Sequence, residues 1–222
     1  MGKLSIANQL ERARLILSAA PGDPELAARL AQVGYDAAAL QAGQALYEAS
    51  GGARTAAYAA HGDQLGATGT VAARRQRAEA NYNTLAQVAR TVFAGDADAL
   101  ATLGLAKAAG RRSQSQAAFL DRARVLYAAA LADPALQAAL TPVGYPASRL
   151  HSERADVQAL EAADVTQEQR KAEAKAHAAA QRAALTQLNA WVARFSGIVA
   201  PALRDRPDLL GKLGLKPHGG AR

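Results

Sequence analysis

The chain repeats itself at an interval of 110 residues, and no gap is needed to align the two copies. Leu10-Glu11-Arg12-Ala13-Arg14 returns as Leu120-Asp121-Arg122-Ala123-Arg124, and Asp23-Pro24-Glu25-Leu26 as Asp133-Pro134-Ala135-Leu136. Val33-Gly34-Tyr35 returns as Val143-Gly144-Tyr145, and Leu103-Gly104-Leu105 as Leu213-Gly214-Leu215. Between Leu10 and Leu40, 16 of 31 positions are identical to their partners. An alanine-rich chain yields some matches by chance, but not matched Asp-Pro, Val-Gly-Tyr and Leu-Gly-Leu punctuation. A fixed period of this kind is the signature of tandem structural units. The expected organisation is a helical repeat over 1–110, a second over 111–216, and a flexible tail over 217–222, the two repeats packing as one continuous domain.

Composition sets the fold class. Half of the 222 residues are apolar but only 5% are aromatic, and there is no cysteine. Ala, Leu, Arg, Gln and Glu dominate, which are the good helix formers, and no run alternates β-branched with polar residues. The expectation is an all-α protein: a pseudo-two-fold helical bundle in which each repeat supplies shorter helices and one long helix. Without cysteine there is no disulfide, thiolate nucleophile or cysteine-bound metal. The first ten residues lack the apolar run of a signal peptide, and no stretch approaches the ~18 uninterrupted apolar residues of a spanning helix. A cytoplasmic protein without membrane insertion is therefore expected.

Each copy reads as the same string of helices. The first spans about Leu4 to Ala20, and its counterpart about Gln114 to Leu131. Asp23 and Asp133 fit N-caps, each with proline at the first helical position. Gly34 and Gly144 are placed to end the following short helix in a left-handed conformation. Further helices are expected over Asp36–Ser50 and Ala147–Ala163, broken at Gly51-Gly52 and at Asp164-Val165-Thr166, where Thr166 and Gln169 have capping-box spacing. Long helices follow over about Thr55–Ala94 and Gln167–Ala200, with Pro201 kinking the second near its end. Their apolar stripes, Val71, Ala78, Tyr82, Leu85, Ala89, Val92 and Leu185, Leu188, Val192, Phe195, Val199, Ala202, have heptad-type spacing. Short terminal helices start at Asp96 and at Asp205–Pro207, ending at Gly104 and Gly214. Leu10, Leu26, Leu30, Leu40 and their partners are the expected core.

Gly62, Gly66 and Gly69 admit two readings, loop or helix. The second copy has Ala172, Ala176 and Ala179 there, in the strongly helical Lys171-Ala172-Glu173-Ala174-Lys175-Ala176. The helical reading puts the three glycines on one face, where they would let an opposing long helix approach closely.

No motif of catalysis is present. His61, His151, His177 and His218 form no Glu-x-x-His or His-x-x-x-His pair. Asp96 with Asp98, and Asp205 with Asp208, are explained by helix starts. There is no Gly-x-Ser-x-Gly elbow and no phosphate loop. No catalytic residue, cofactor or metal is assigned, and the chain is read as a non-enzyme.

The net charge of +7 is uneven: 10 basic against 9 acidic residues lie in 1–110, and 16 against 10 in 111–222. Arg74, Arg75, Arg77, Arg111 and Arg112 are the candidate anion or nucleic-acid contacts, although acidic residues are interspersed and no stacking aromatic platform accompanies them. The Arg12/Arg14 and Arg122/Arg124 pairs point to structural ion pairs, with Asp23, Glu25 or Asp36 as carboxylate partners. Tyr35 and Tyr145 are expected to cover helix ends with their rings. Trp191, opposite Asn81 in the repeat register, is a core or rim anchor, and a partner anchor if exposed. The leading functional expectation is a helical scaffold that binds a protein partner or itself. A nucleic-acid-binding helical protein is the alternative, and a small-ligand binder or enzyme with a site between the halves is the second alternative.

Overall fold

A computed structural model describes residues 5–106 and 115–215. Within them every regular element is helical: α1 (Ile6–Ala19), α2 (Pro24–Gln32), α3 (Ala37–Val92), α4 (Ala97–Thr102), α5 (Gln116–Ala132), α6 (Pro134–Leu140), a 3-10 turn (Thr141–Val143), α7 (Ala147–Ala202) and α8 (Pro207–Lys212). None of these helices is long and apolar enough to cross a membrane. Arg111, Arg112, His218 and the tail 217–222 lie outside the described residues.

The caps follow the sequence. Asp23 accepts from the amides of Glu25 (3.0 Å) and Leu26 (3.2 Å), and Asp133 accepts from Ala135 (2.8 Å) and Leu136 (3.3 Å), so each starts a helix opened by proline. Asp96 accepts from Ala99 and starts α4. Gly34 and Gly144 have φ of 84° and 89°, which only glycine adopts readily. Gly144 closes the 3-10 turn rather than α6 itself, because Pro142 sits in that turn with no N–H to continue an α-helix.

The long helices are longer than expected. α3 and α7 each have 56 residues and start 110 positions apart. Gly51-Gly52 does not break α3, since neither glycine needs a left-handed φ and alanine-rich flanks propagate the helix across them. Thr166 is no N-cap. Its hydroxyl donates to the Ala162 carbonyl at 3.0 Å, the back-bond that lets threonine sit inside a helix. Pro201 falls in the last turn of α7, where the helix ends at Ala202. Gly62, Gly66 and Gly69 are helical, but the close-approach explanation is overturned. All three are exposed, and a Cβ built on any of them meets nothing within 4 Å.

The chain forms two compact units. The first comprises residues through His61 together with those from Glu173 onward, and the second spans Gly62–Ala172. The boundary therefore does not follow residue 110: the first unit holds α1, α2, the start of α3, the end of α7 and α8, and the second holds the end of α3, α4, α5, α6 and the start of α7. In the first unit the core joins Ala13, Ile16, Leu26, Leu30 and Tyr35 to Leu188, Phe195, Val199, Leu203, Leu213 and Leu215. In the second it joins Ala123, Leu126, Leu136, Leu140 and Tyr145 to Ala78, Leu85, Ala89, Phe93, Leu103 and Leu105. Leu10 and Leu40 are half-buried, while Leu120 and Leu150 are buried. Two stripe positions shift. Phe93 is buried beside the half-buried Val92, and Leu203 is buried where Ala202 faces solvent. Proline at 201 and the helix end turn the chain there, so the next leucine completes the seam.

Within the second unit the C-terminal part of α3 and the N-terminal part of α7 run antiparallel. Asp63 faces Arg170 at 3.8 Å, Thr68 accepts from Gln167 at 3.1 Å, and Arg77 pairs with Asp156 at 2.9 Å.

Candidate functional site

In the first unit an apolar pocket of about 460 Å³ opens between the end of α1, α2 and the start of α3. Its position follows from the caps. Asp23 fixes the start of α2, Gly34 turns the chain back, and Asp36 caps α3 by accepting from the Ala39 amide at 2.9 Å. The turn drops the Tyr35 ring into the core, where it meets Phe195 edge-on at 4.8 Å. Leu17, Ala20 and Tyr35 form the buried floor, with Ala27, Ala31 and Leu40 as walls and Asp36, Gln41 and Gln44 at the mouth. Tyr35 and Asp36 are the ionisable residues among the lining. Burial pushes the Tyr35 hydroxyl pKa up, so it stays protonated at neutral pH. Such a pocket can bind an apolar body and orient it by one carboxylate and two amides. It lies wholly within residues 17–44.

The second unit treats the corresponding positions differently. Gln137 stands for Ala27, Thr141 for Ala31 and Leu131 for Pro21 in the 110-residue register. The Gln137 amide donates to the Leu131 carbonyl at 2.8 Å, a bond between two of these corresponding positions that Ala27 has no side chain to make.

Trp191 belongs to the first unit. It is half-buried, stacked on Phe195 at 5.3 Å and edge-on to Tyr35 at 6.1 Å. Its indole lies against Gly43, where a Cβ would come within 2.3 Å of Cζ2. Among the described glycines Gly43 is the most closely approached, and the sequence reading did not single it out. The signal was there: the repeat register pairs Gly43 with Glu153 and Trp191 with Asn81. In that register a small-plus-large pair, Gly43 and Trp191, stands against a charged-plus-polar pair, Glu153 and Asn81.

Glu153 was also missed. It is buried, accepting from the Tyr127 hydroxyl at 3.0 Å and from Arg149 Nε at 2.8 Å. Arg149 also donates to the Gly144 carbonyl and the Tyr145 hydroxyl, and lies 4.0 Å over the Tyr145 ring. Both carboxylate oxygens are thus engaged, as a buried charge requires. Burial first, then the Glu153 charge, pushes the Tyr127 hydroxyl pKa far above its ordinary value.

The arginines are placed as follows. Arg75 pairs with Glu79 at 2.8 Å and Arg77 with Asp156, which also accepts from Asn81. Arg74 is exposed and lines a shallow depression with Thr70, Ala159, Ala163 and Thr166. Arg12, Arg14 and Arg124 do not take the expected carboxylates. Arg12 donates to the Ser196 hydroxyl, Arg14 pairs with Glu11, and Arg124 pairs with Glu161. Asp23 instead pairs with Lys212, Glu25 with Arg206, and Asp36 caps α3. These ion pairs, with Arg29–Asp205 at 2.8 Å, tie α2 to the chain around α8. His61, His151 and His177 are exposed, and no cluster of three or more His, Asp or Glu that could hold a metal occurs among the described residues. Comparisons with protein-family models, curated proteins and solved structures give no match.

Proposed function

We propose that this chain is a non-enzymatic helical scaffold that works by self-association, built from two tandem copies of a 110-residue helical repeat related by pseudo-two-fold symmetry. The duplication is supported by element boundaries that recur 110 residues apart, α3 with α7 above all, and by two cores built from corresponding positions. The observation that carries the self-association is that large apolar side chains on the long helices are exposed. Leu65 and Val165 are 58% and 61% exposed on the second unit, and Tyr58 is 64% exposed on the first. Isolated exposed leucines are ordinary, but large apolar side chains on long uncovered helices suit lateral contact between copies. The nucleic-acid reading gains no comparable support, because Arg75 and Arg77 already have carboxylate partners.

The test is size-exclusion chromatography with light scattering. The expected mass is a multiple of 22.9 kDa, and Leu65→Glu with Val165→Glu shifts it towards the monomer while helicity is retained. A wild-type protein that stays monomeric at its highest soluble concentration overturns the proposal.

A further inference from the structure

In the 110-residue register the pocket of the first unit corresponds to a place where the second unit carries larger side chains. At the corresponding positions the second unit carries Gln137, Thr141 and Leu131, and the Gln137 amide reaches the Leu131 carbonyl. In the first unit Ala27, Ala31 and Pro21 leave about 460 Å³ open above Leu17, Ala20 and Leu40. That volume lies in the range of about 300–1,000 Å³ typical of small-molecule sites. A surface of this composition left in water forgoes the gain of burial, which an apolar guest would recover.

The polar groups select the guest. The chain carries a net charge of +7, yet no Lys or Arg lines this pocket. Its one formally charged group at neutral pH is the Asp36 carboxylate, at the mouth beside Gln41 and Gln44. One carboxylate oxygen, Oδ1, is engaged with the Ala39 amide. The carboxylate retains acceptor capacity at Oδ2, and a donor or cation entering there meets opposite charge.

We propose that this pocket binds a small organic amine with an apolar body, the hydrocarbon part against Leu17, Ala27, Ala31 and Leu40 and the ammonium at Asp36. This binding is separate from self-association, because Leu65 and Val165 are not part of the pocket.

Two probes with one body and opposite heads test it: 4-phenylbutylamine and 4-phenylbutyrate, titrated into the isotopically labelled full chain and followed by amide chemical shifts. The amine is expected to give saturable one-site shifts at Ala27, Ala31, Leu40 and Gln44, with the carboxylate probe at least about tenfold weaker. Asp36→Asn, which keeps a capping side chain, is expected to bring the two probes within about threefold of each other. The double variant Ala27→Gln/Ala31→Thr copies what the second unit already accommodates. It is expected to weaken the amine at least about tenfold while the melting temperature stays near wild type. Equal affinity of the two probes, shifts that never saturate, or amine binding undiminished in the double variant would each overturn the proposal. Light scattering on the same samples separates these outcomes from any change in self-association.

Discussion

Replacing Gly43 with alanine sets two opposed effects against each other in one helix. Alanine is the better helix former by about 1 kcal/mol, and it removes the extra backbone freedom of glycine in the unfolded chain. Against this, the new methyl would sit 2.3, 2.6 and 2.7 Å from Cζ2, Cε2 and Cη2 of Trp191. Carbon atoms rest about 3.5–4.0 Å apart, so the indole must retreat by roughly 1.2 Å. Its retreat is obstructed by Phe195, stacked at 5.3 Å and fully buried, and by Tyr35 edge-on at 6.1 Å. Overpacking of this kind costs about 1–3 kcal/mol. The control is Gly52→Ala, in the same helix and the same unit, where a Cβ meets nothing within 4 Å. The propensity gain is common to both variants and cancels on comparison. Gly43→Ala should therefore be less stable than Gly52→Ala by about 1–3 kcal/mol, a gap of roughly 2–12 °C in melting temperature at this chain length. Thermal unfolding followed by circular dichroism gives that gap. Emission of Trp191, the one tryptophan in the chain, reports whether the indole has been pushed towards water. Equal stabilisation of both variants with unchanged emission would refute the reasoning, since it would mean that the indole does not occupy the space beside Gly43.

Two further substitutions or titrations separate the units. Tyr127→Phe removes the hydroxyl that donates to buried Glu153 and should destabilise by about 1–3 kcal/mol, because one carboxylate oxygen loses its donor; denaturant unfolding of the variant checks it, and a cost near zero would show that water replaces the hydroxyl. The same tyrosine has a raised pKa, so the folded state holds its proton more tightly than the unfolded chain. Its contribution is full below about pH 10 and is lost as pH rises beyond that, and Tyr127→Phe should flatten this alkaline loss. Acid should act on the first unit. Arg206 holds the Asp208 carboxyl down at about 2, Lys212 lowers Asp23 and Arg29 lowers Asp205. Lowered carboxylates stabilise when ionised, so that contribution is present above about pH 4 and fades as pH falls towards 2. Trp191 emission should shift through that window, less so in about 1 M salt where exposed pairs are screened; a flat signal in low salt would show that the α2–α8 ion pairs do not hold the unit.

Much of the local structure was legible because it rests on short-range chemistry. Asp23 and Asp133 cap helices whose next residue is proline, and Gly34 and Gly144 take left-handed turns, all within a few residues of the signal that announced them. Helix lengths were less legible. Gly51-Gly52 and Thr166 look like stops, but a stop needs a competing conformation, and neither the glycines nor the back-bonded threonine supplies one inside alanine-rich helix. The glycine stripe at 62, 66 and 69 carried the wrong inference for a related reason. Regular spacing shows which residues share a face, but not that anything stands opposite it, and here nothing does. The most closely approached of the described glycines, Gly43, belongs to no stripe and becomes visible only when the chain is read in the 110-residue register with Trp191 and Asn81.

That register is also how the pocket becomes intelligible. Judged alone, Ala27 and Ala31 are ordinary residues of a short amphipathic helix. Set beside Gln137 and Thr141, they mark where one unit has its own polar side chain and the other has space. The two cores keep corresponding positions apolar, since each must exclude water to hold its helices together. Positions that differ in character lie beside those cores: Gly43 against Glu153, Ala27 against Gln137, Ala39 against Arg149. In the second unit these changes build a satisfied buried network around Glu153; in the first they leave an aromatic cluster and an apolar hollow with a carboxylate at its mouth. Two units whose cores are apolar at positions 110 residues apart remain free to differ at such flanking positions, so that is where a property peculiar to one unit has to be sought.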